Sequence, residues 1–473
     1  MSPRNAGPPS SRPPQPLAAR QAEALAAELV TYHAQFHDLF ARREQREWSA
    51  FYLRGQLAPL PRKTIEPMVL AFAGAAPAAV RAVQQFISEG AWDDAALLAR
   101  LEQLVAAELE TPDGALIVDG SGFPKQGTHS VGVARQYCGH VGKVANCQQG
   151  VFLAYASPHG CTFIDRRLYV PKVWFDAAHA DARARCGVPA TLRFQTEPAL
   201  GLAMIRGVVE RGVLPVRWVL GDETYGADPK FLDGIAALDR WYFVEVPVST
   251  RAWVGAIAVE PPGRGRQGRP RIRARVAAGT PKPTALRVIA AALPTRAWRR
   301  YAIKRGAKGV IAADFAFVRV TRARRRGEPA AEAWAVFRRS LGPAPELKVF
   351  LTNAPATCPK HDLVRVSGRR WPIEVAFEEA KGELGLDHYE VRTWRGWHHH
   401  MTQTFLAHHF LLRWRRRGKK SGPHPGPSAP ATDGHAPRAR TINAPTRARP
   451  RAVLPGPQLR RVLQSRGADR RAA

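Results

Sequence analysis

ALIVD at Ala115–Asp119 and VRWVLGD at Val216–Asp222 share one form, a short apolar run that ends in an aspartate. Runs of this length bounded by turn residues predict buried strands. An acid at the end of such a strand lies where ligand sites form in open α/β sheets. Between and after them, QGVFLAYAS (Gln149–Ser157) and CTFIDRRLYV (Cys161–Val170) predict a strand pair around the turn at Pro158–Gly160. Helices are predicted over Pro198–Arg211 and Asp228–Leu238, with further strands at WYFVEVP (Trp241–Pro247) and LKVFLTN (Leu347–Asn353). Strands alternating with helices in this way predict an α/β layer architecture.

Working outward, Leu25, Leu29, Tyr32, Phe36 and Leu39 recur at helical spacing. Further helices are predicted at Arg43–Leu57, Thr64–Phe72, Ala79–Glu89 and Ala95–Leu109, so residues 17–110 read as an all-helical domain, a candidate for DNA binding. The α/β pattern then occupies 111–248. Residues 249–345 read as a β-rich insertion, with strands at Trp298–Ile303, Phe315–Val320 and Ala333–Arg338. The α/β pattern resumes over 346–417 with a helix from Trp371 to about Gly385 and a last helix at Trp397–Arg415. Residues 1–16 and 418–473 are rich in Pro, Ala, Arg and Gly and read as disordered, apart from a short helix around Gln458–Gln464.

The 473 residues include 71 Lys+Arg against 39 Asp+Glu, a net charge of +32. The excess is concentrated: residues 264–339 carry 21 basic and 3 acidic side chains, and 418–473 carry 12 and 2. Two basic patches on an otherwise balanced chain call for a polyanion, and double-stranded DNA is the expected partner. No apolar run approaches the roughly 20 residues of a membrane helix, and the N-terminus lacks the apolar stretch of a secretory signal. The five cysteines form no CxxC pair, so free thiols in the cytoplasm, at the nucleoid, are expected.

Chemistry needs more than charge. In the helix WPIEVAFEEAK, Glu374, Glu378 and Lys381 share one face, with Arg370 one turn ahead of Glu374. Two strand-end aspartates and a helical glutamate suit Mg²⁺ or Mn²⁺, which take oxygen ligands and leave room for phosphate oxygens. Two such ions cleave a phosphodiester by activating water and stabilising the leaving oxygen.

Three blocks carry a family resemblance: VDGSGFPKQGTHSVGVARQYCGHVGKVANCQQGVF, VLGDETYG and RWPIEVAFEEAKGELGLDHYEVRTWRGWHHHM. The chain resembles bacterial insertion-sequence transposases of the DDE type, in the group numbered seven hundred and one, related to the hairpin-forming group numbered four and also described as DDE-superfamily endonucleases. The likeness covers roughly Phe36–His409. It implies a RNase-H-like core interrupted by the insertion, with the catalytic and metal-holding acids at Asp119, Asp222 and Glu374 and two divalent ions between them. It further implies metal-dependent strand cleavage at the element ends, attack of the freed 3′-hydroxyl on target DNA, and a homodimer on those ends. Arg370, Glu374 and Lys381 fit the related hairpin-forming signature, whose tyrosine position is Ser367 here, a departure. Arg370 and Lys381 are thereby implied as phosphate contacts. In the insertion block WRRYAIKRGAKG, Trp298 is a candidate platform for an unstacked base, with Arg299, Arg300 and Lys304 holding the backbone.

Other readings are weaker. A catalytically inactive or repurposed derivative conflicts with the presence of all three acids, and a related RNase-H-like nuclease would not need so large an insertion. A retaining glycosidase has no use for the basic insertion. The loop GRGRQGRPRIRAR (Gly263–Arg275) lacks the strand and helix of a nucleotide site, and DGSG around Ser121 lacks the GxSxG pattern. His398, His399, His400, His408 and His409 point several ways along one helix, so a polar or DNA-facing surface is expected there rather than zinc.

Overall fold

The computed structural model describes residues 19–261, 263, 274–306, 309–324 and 328–420. The segment 1–16, most of the Gly263–Arg275 loop and the tail beyond Lys420, with its predicted helix, lie outside the described residues.

Five helices open the chain: α1 (Ala19–Ala34), α2 (Arg43–Leu57), α3 (Ile65–Ala73), α4 (Pro77–Ser88) and α5 (Asp94–Leu109). Asp93 starts α5 by accepting from the backbone N–H of Ala95 and Ala96 at 2.9 and 3.0 Å, which satisfies donors the first turn leaves open. The strands β1 (Ala115–Pro124), β2 (Ala134–Cys138), β3 (Lys143–Ser157) and β4 (Gly160–Tyr169) follow as antiparallel neighbours. Then come α6 (Ala180–Arg185), α7 (Glu197–Arg211), β5 (Trp218–Gly221), α8 (Glu223–Gly226), α9 (Pro229–Ala237) and β6 (Trp241–Val246). α7 begins on a Thr196 cap and ends at Gly212, whose φ of 63° suits a residue without Cβ.

The predicted insertion supplies β7 (Arg251–Val254), β8 (Val259–Glu260), β9 (Arg275–Val276), β10 (Thr284–Ala285), α10 (Leu286–Ala292), β11 (Arg299–Gly306), β12 (Gly309–Ala323) and β13 (Pro329–Arg339). The chain closes with β14 (Leu347–Thr352), α11 (Lys360–Ser367), α12 (Trp371–Leu384) and α13 (Trp394–Lys420).

Twelve strands make one mixed sheet in the order β10-β7-β12-β13-β14-β6-β5-β1-β3-β2, with β11 on β12 and β4 on β3. The fold class is α/β, as the alternation predicts. The insertion strands continue the main sheet through the β13–β14 pairing. Among the described strands, only β1–β5 and β5–β6 pair in parallel. The β1–β5 register runs from Ala115–Trp218 to Ile117–Leu220 and then stops, while β1 continues to Pro124. Asp119 therefore lies mid-strand rather than at a strand end. It stands just past the point where β5 leaves, which opens the crevice that a strand end would have provided.

Alternation along β1 sends neighbouring side chains to opposite faces. Val118 faces α7, since a methyl on Gly201 would meet its Cγ2 at 2.9 Å. Phe123 faces the other way, against Phe152 and Tyr389 with ring centroids 6.1 and 5.6 Å apart.

On that second face α13 runs through the centre of the protein. It packs on β4 and carries the helices α1, α2, α4 and α5 around it. Its five histidines are buried, which overturns the expectation of a polar or DNA-facing surface. They are instead paired inside: Tyr52 with His400 at 2.8 Å, Thr162 with His408 at 3.0 Å and Tyr32 with His409 at 3.1 Å, while Trp92 stacks on His399 at 3.6 Å. Burial lowers all five, to about 3 or 4, so they stay neutral. The middle of the helix, from Trp397 to Leu411, is buried and has no polar face to offer. Among the described residues no group of three His, Cys, Asp or Glu side chains is placed to hold a metal ion.

Gly226 follows Asp222 by one helical turn and lies on the backbone of β6, where a Cβ would run into the Glu245 carbonyl. Backbone cannot yield as a side-chain tip can. Gly226→Ala should lower stability by about 1–3 kcal/mol, read as a fall in the urea midpoint, with an unchanged midpoint counting against this packing.

Candidate active site

Asp113 in the turn before β1 fixes the frame. It accepts from Trp218 Nε1 at 2.9 Å, from Arg365 at 2.7 Å and from Arg369 at 2.5 Å. Burial alone would raise its carboxyl, but the bonds from Arg365 and Trp218 and the charge of Arg369 hold it below the ordinary value. These bonds lock the α11–α12 junction to the start of β1 and β5, and so set the next residue, Arg370, over β1.

Arg370 joins two of the predicted acids. Its Nη1 donates to Asp119 Oδ2 at 3.1 Å and its Nη2 to Glu374 Oε1 at 2.6 Å. Asp222 caps α8 by accepting from Thr224 N at 2.9 Å. Its negative charge reaches Asp119: burial first and Asp222 second push the Asp119 carboxyl up to about 7, with Glu374 adding to the push. Arg370 and the Gly120 amide, which donates at 2.8 Å, pull the other way. Asp119 of β1 and Glu374 at the start of α12 thus share one guanidinium, and the charge of Asp222, at the end of β5, acts on Asp119.

The remaining predicted contacts divide. Lys304 of β11 comes to the site: its Nζ lies 4.8 Å from the centre of the Trp371 ring, and the Glu374 charge partly offsets the lowering of its pKa by burial. Lys381 lies on the Asp119 face of β1 but further along, over Phe123 at 5.5 Å, with burial lowering its pKa against the pull of Asp387. Arg299 and Arg300 are exposed on β11, where Arg300 pairs with Asp314 at 3.0 Å. Trp298 is half-buried beneath Arg339, whose guanidinium lies 3.7 Å from the ring centre, and beside Phe337. Ser367 is turned into its own helix and donates to Val364 O at 2.6 Å, so it offers nothing to a phosphate.

Several residues of this region were not singled out from the sequence. Trp371, between Arg370 and Glu374 in the chain, is the exposed aromatic beside the acids, at 53%. Glu197 and Gln149 meet behind Gly120, and the buried Tyr225 lies close by. Glu197 and Gln149 are half-buried and Tyr225 is buried, and such placement is invisible in a single sequence.

Residues 35–310 match the family described as DDE superfamily endonuclease. The chain belongs to that family. The match takes in Asp119 and Asp222 and stops before Glu374, whose place at the site rests on geometry. No curated protein gives a match. This DDE superfamily endonuclease joins a class of transposases and nucleases that use divalent metal ions. Asp119, Asp222 and Glu374 are oxygen donors of the type such an ion takes, but as they stand they are not among any group of three placed to hold one, and the Arg370 guanidinium bridges two of them. No described helix is long and apolar enough to cross a membrane.

A carboxyl raised to about 7 holds its proton at and below neutral pH. Ionising it costs folding stability as pH climbs from the ordinary carboxylate range to about 7, and above that the full penalty applies. Asp119→Asn keeps an acceptor for Arg370 and Gly120 without the charge. Free of divalent ions at pH 8, the variant should melt above the native chain, and the gap should shrink as pH falls toward 4. Equal melting at pH 8 would show that Asp119 is not held against its charge.

Proposed function

We propose that the chain is a DNA transposase of the insertion-sequence group numbered seven hundred and one, working on a RNase-H-like core. It cleaves the strands at the ends of its element and joins the freed 3′-hydroxyl to target DNA. The observation that carries this reading is the Arg370 bridge between Asp119 and Glu374, with the Asp222 charge acting on Asp119, in a chain of the DDE superfamily. Strand order supports the core: antiparallel β1, β3 and β4, then α7, parallel β5, and parallel β6 after α8 and α9.

Asp119, Asp222 and Glu374 hold the ions, two Mg²⁺ or Mn²⁺. When bound, such ions lower the pKa of an attacking water and neutralise the leaving oxygen. The chain's own part is placement. Arg370 leaves the two carboxylates for a phosphate oxygen next to the scissile bond, and Lys304 steadies the backbone beside it. Trp371 presents a flat apolar face to the same DNA. The basic strands β11–β13 carry the flanking duplex, and a homodimer brings two element ends together at the nucleoid.

A related nuclease that stops at cleavage is the second reading. Ser367, turned inward, gives no support to hairpin chemistry. The test is purified full-length chain with Mg²⁺ and a duplex carrying the DNA that flanks its gene. Nicks at the repeat boundary that leave a 3′-hydroxyl, followed by joining to a second duplex, are expected. Cleavage without joining selects the nuclease, and no metal-dependent cleavage at all removes both readings.

A further inference from the structure

Of the five N-terminal helices, α4 alone carries no acid: its sequence is PAAVRAVQQFIS. It follows α3 after three residues, 74–76. That turn opens on Gly74 at φ 70°, where a side chain would be strained, and Pro77 sets the first turn of α4. A short turn of this kind between two packed helices is the arrangement that holds a second helix out for a DNA groove.

Val83, Phe86 and Ile87 bury one face of α4, which packs on α13 and α2. The opposite face, at helical spacing, presents Ala78, Arg81, Gln84 and Gln85, all exposed. The side chains of Arg81, Gln84 and Gln85 make no hydrogen bond or ion pair among the described residues. The helix that carries them is held firmly at its end. His399 Nδ1 meets Ile87 O at 3.0 Å, Thr393 Oγ1 donates to Ser88 O at 3.3 Å, and Arg395 donates to Glu89 O at 2.8 Å. A groove of about 680 Å³ runs beside α4, with Arg81, Gln84 and Gln85 on one side and the exposed Arg392 on the other. Glu390, in the same groove, is engaged by Arg62 at 3.4 Å.

An arginine takes the O6 and N7 of guanine and a glutamine the N6 and N7 of adenine, each with two bonds, from the major groove. We propose that α4 is a recognition helix that lies in the major groove of duplex DNA and reads base edges through Arg81, Gln84 and Gln85, with Arg392 on the adjoining phosphates. The small Ala78 lets the helix approach closely. The helix stands on the same side of the sheet as the acids, since α12 and α13 both meet Phe152 of β3, through Phe377 at 5.2 Å and Trp397 at 6.2 Å between ring centres. The 14 residues of α12, about 20 Å, separate the Glu374 end from the link on which α4 is held. The bases read by α4 therefore lie inside the DNA end, away from the scissile bond. That this DNA is the element's own terminal repeat rests on the proposed function; base reading by α4 does not.

Selection from a pool of random duplexes by the full-length chain in EDTA, where binding is read without cleavage, tests this. The native chain should enrich one motif. Arg81→Ala and Arg81→Lys should each weaken binding to that motif by about ten-fold or more and relax one base position. Affinity for a scrambled duplex should stay near the native value in Arg81→Lys, which shows the fold intact. Joint replacement by Gln84→Ala and Gln85→Ala should relax a neighbouring position. Recovery of the motif by Arg81→Lys would make Arg81 a phosphate contact and overturn base reading. A native chain that enriches no motif, or variants that enrich the native motif at native affinity, would overturn it as well. Loss of the motif in the Arg81 variants upholds α4 even if the native chain cuts no DNA, a result that would fall on the proposed function alone. Conversely, DNA cleavage by a chain whose motif is indifferent to Arg81→Ala overturns the role of α4 and leaves the function standing.

Discussion

Glu374→Gln should cut metal-dependent strand cleavage by about a thousand-fold, the loss of about 4 kcal/mol of transition-state stabilisation. The substitution is isosteric, and an amide still accepts from Arg370, so α12 and its junction with α11 should be undisturbed. What is lost is a negative oxygen where a metal ion needs one. The control is Glu378→Gln, one turn further along the same helix. Glu378 is exposed, and its loss should leave cleavage near the native rate. Both rates are read under single turnover on a labelled duplex. If Glu378→Gln is the dead variant and Glu374→Gln the active one, the helical acid has been assigned one turn too early.

The second large effect concerns Arg370. Its guanidinium is the cation between Asp119 and Glu374, at 3.1 and 2.6 Å. Arg370→Ala leaves a mostly buried Asp119 facing Asp222 and Glu374 with no charge to offset theirs. Without divalent ions at pH 8 the variant should lose about 2 kcal/mol of stability, a figure discounted for the partial exposure of Arg370 and Glu374. Added Mn²⁺ should then raise its melting temperature by more than it raises the native chain's, because the ion no longer competes with a guanidinium. Cleavage should still fall about a hundred-fold, since the phosphate loses its charged partner. An equal Mn²⁺ response in the two proteins would show that Arg370 does not occupy the cation's place.

Much of the fold was legible because its signals are local. Apolar runs gave the strands at 115–119 and 216–222, and helical spacing placed α2 at Arg43–Leu57 and α12 from Trp371. Asp222, Glu374 and Arg370 were legible as residue types at strand and helix boundaries, whereas Asp119, read at a strand end, lies within β1. Less legible was anything set by long-range packing. The HHH of α13 read as polar because its burial depends on helices more than 300 residues earlier, with Tyr32, Tyr52 and Trp92 as partners. Asp113 carries no signal of its own in the sequence, since Arg365 and Arg369 reach it from 252 and 256 positions away. Trp298 and Trp371 look alike in sequence, but the first lies half-buried under Arg339 and the second is exposed beside Glu374. Glu197 belongs with these: nothing in TEPALGLA announces an acid folded against β1.

In the function proposed above, Asp119, Asp222 and Glu374, far apart in sequence, share a metal centre. Fe²⁺ placed at such a centre with ascorbate and peroxide cuts the nearby polypeptide backbone, so mapping the cuts by mass spectrometry locates the ion in the full-length chain. Cuts clustered beside residues 119, 222 and 374, suppressed together by excess Mg²⁺, are expected. Cuts confined to other segments, or only to one of the three, would contradict it.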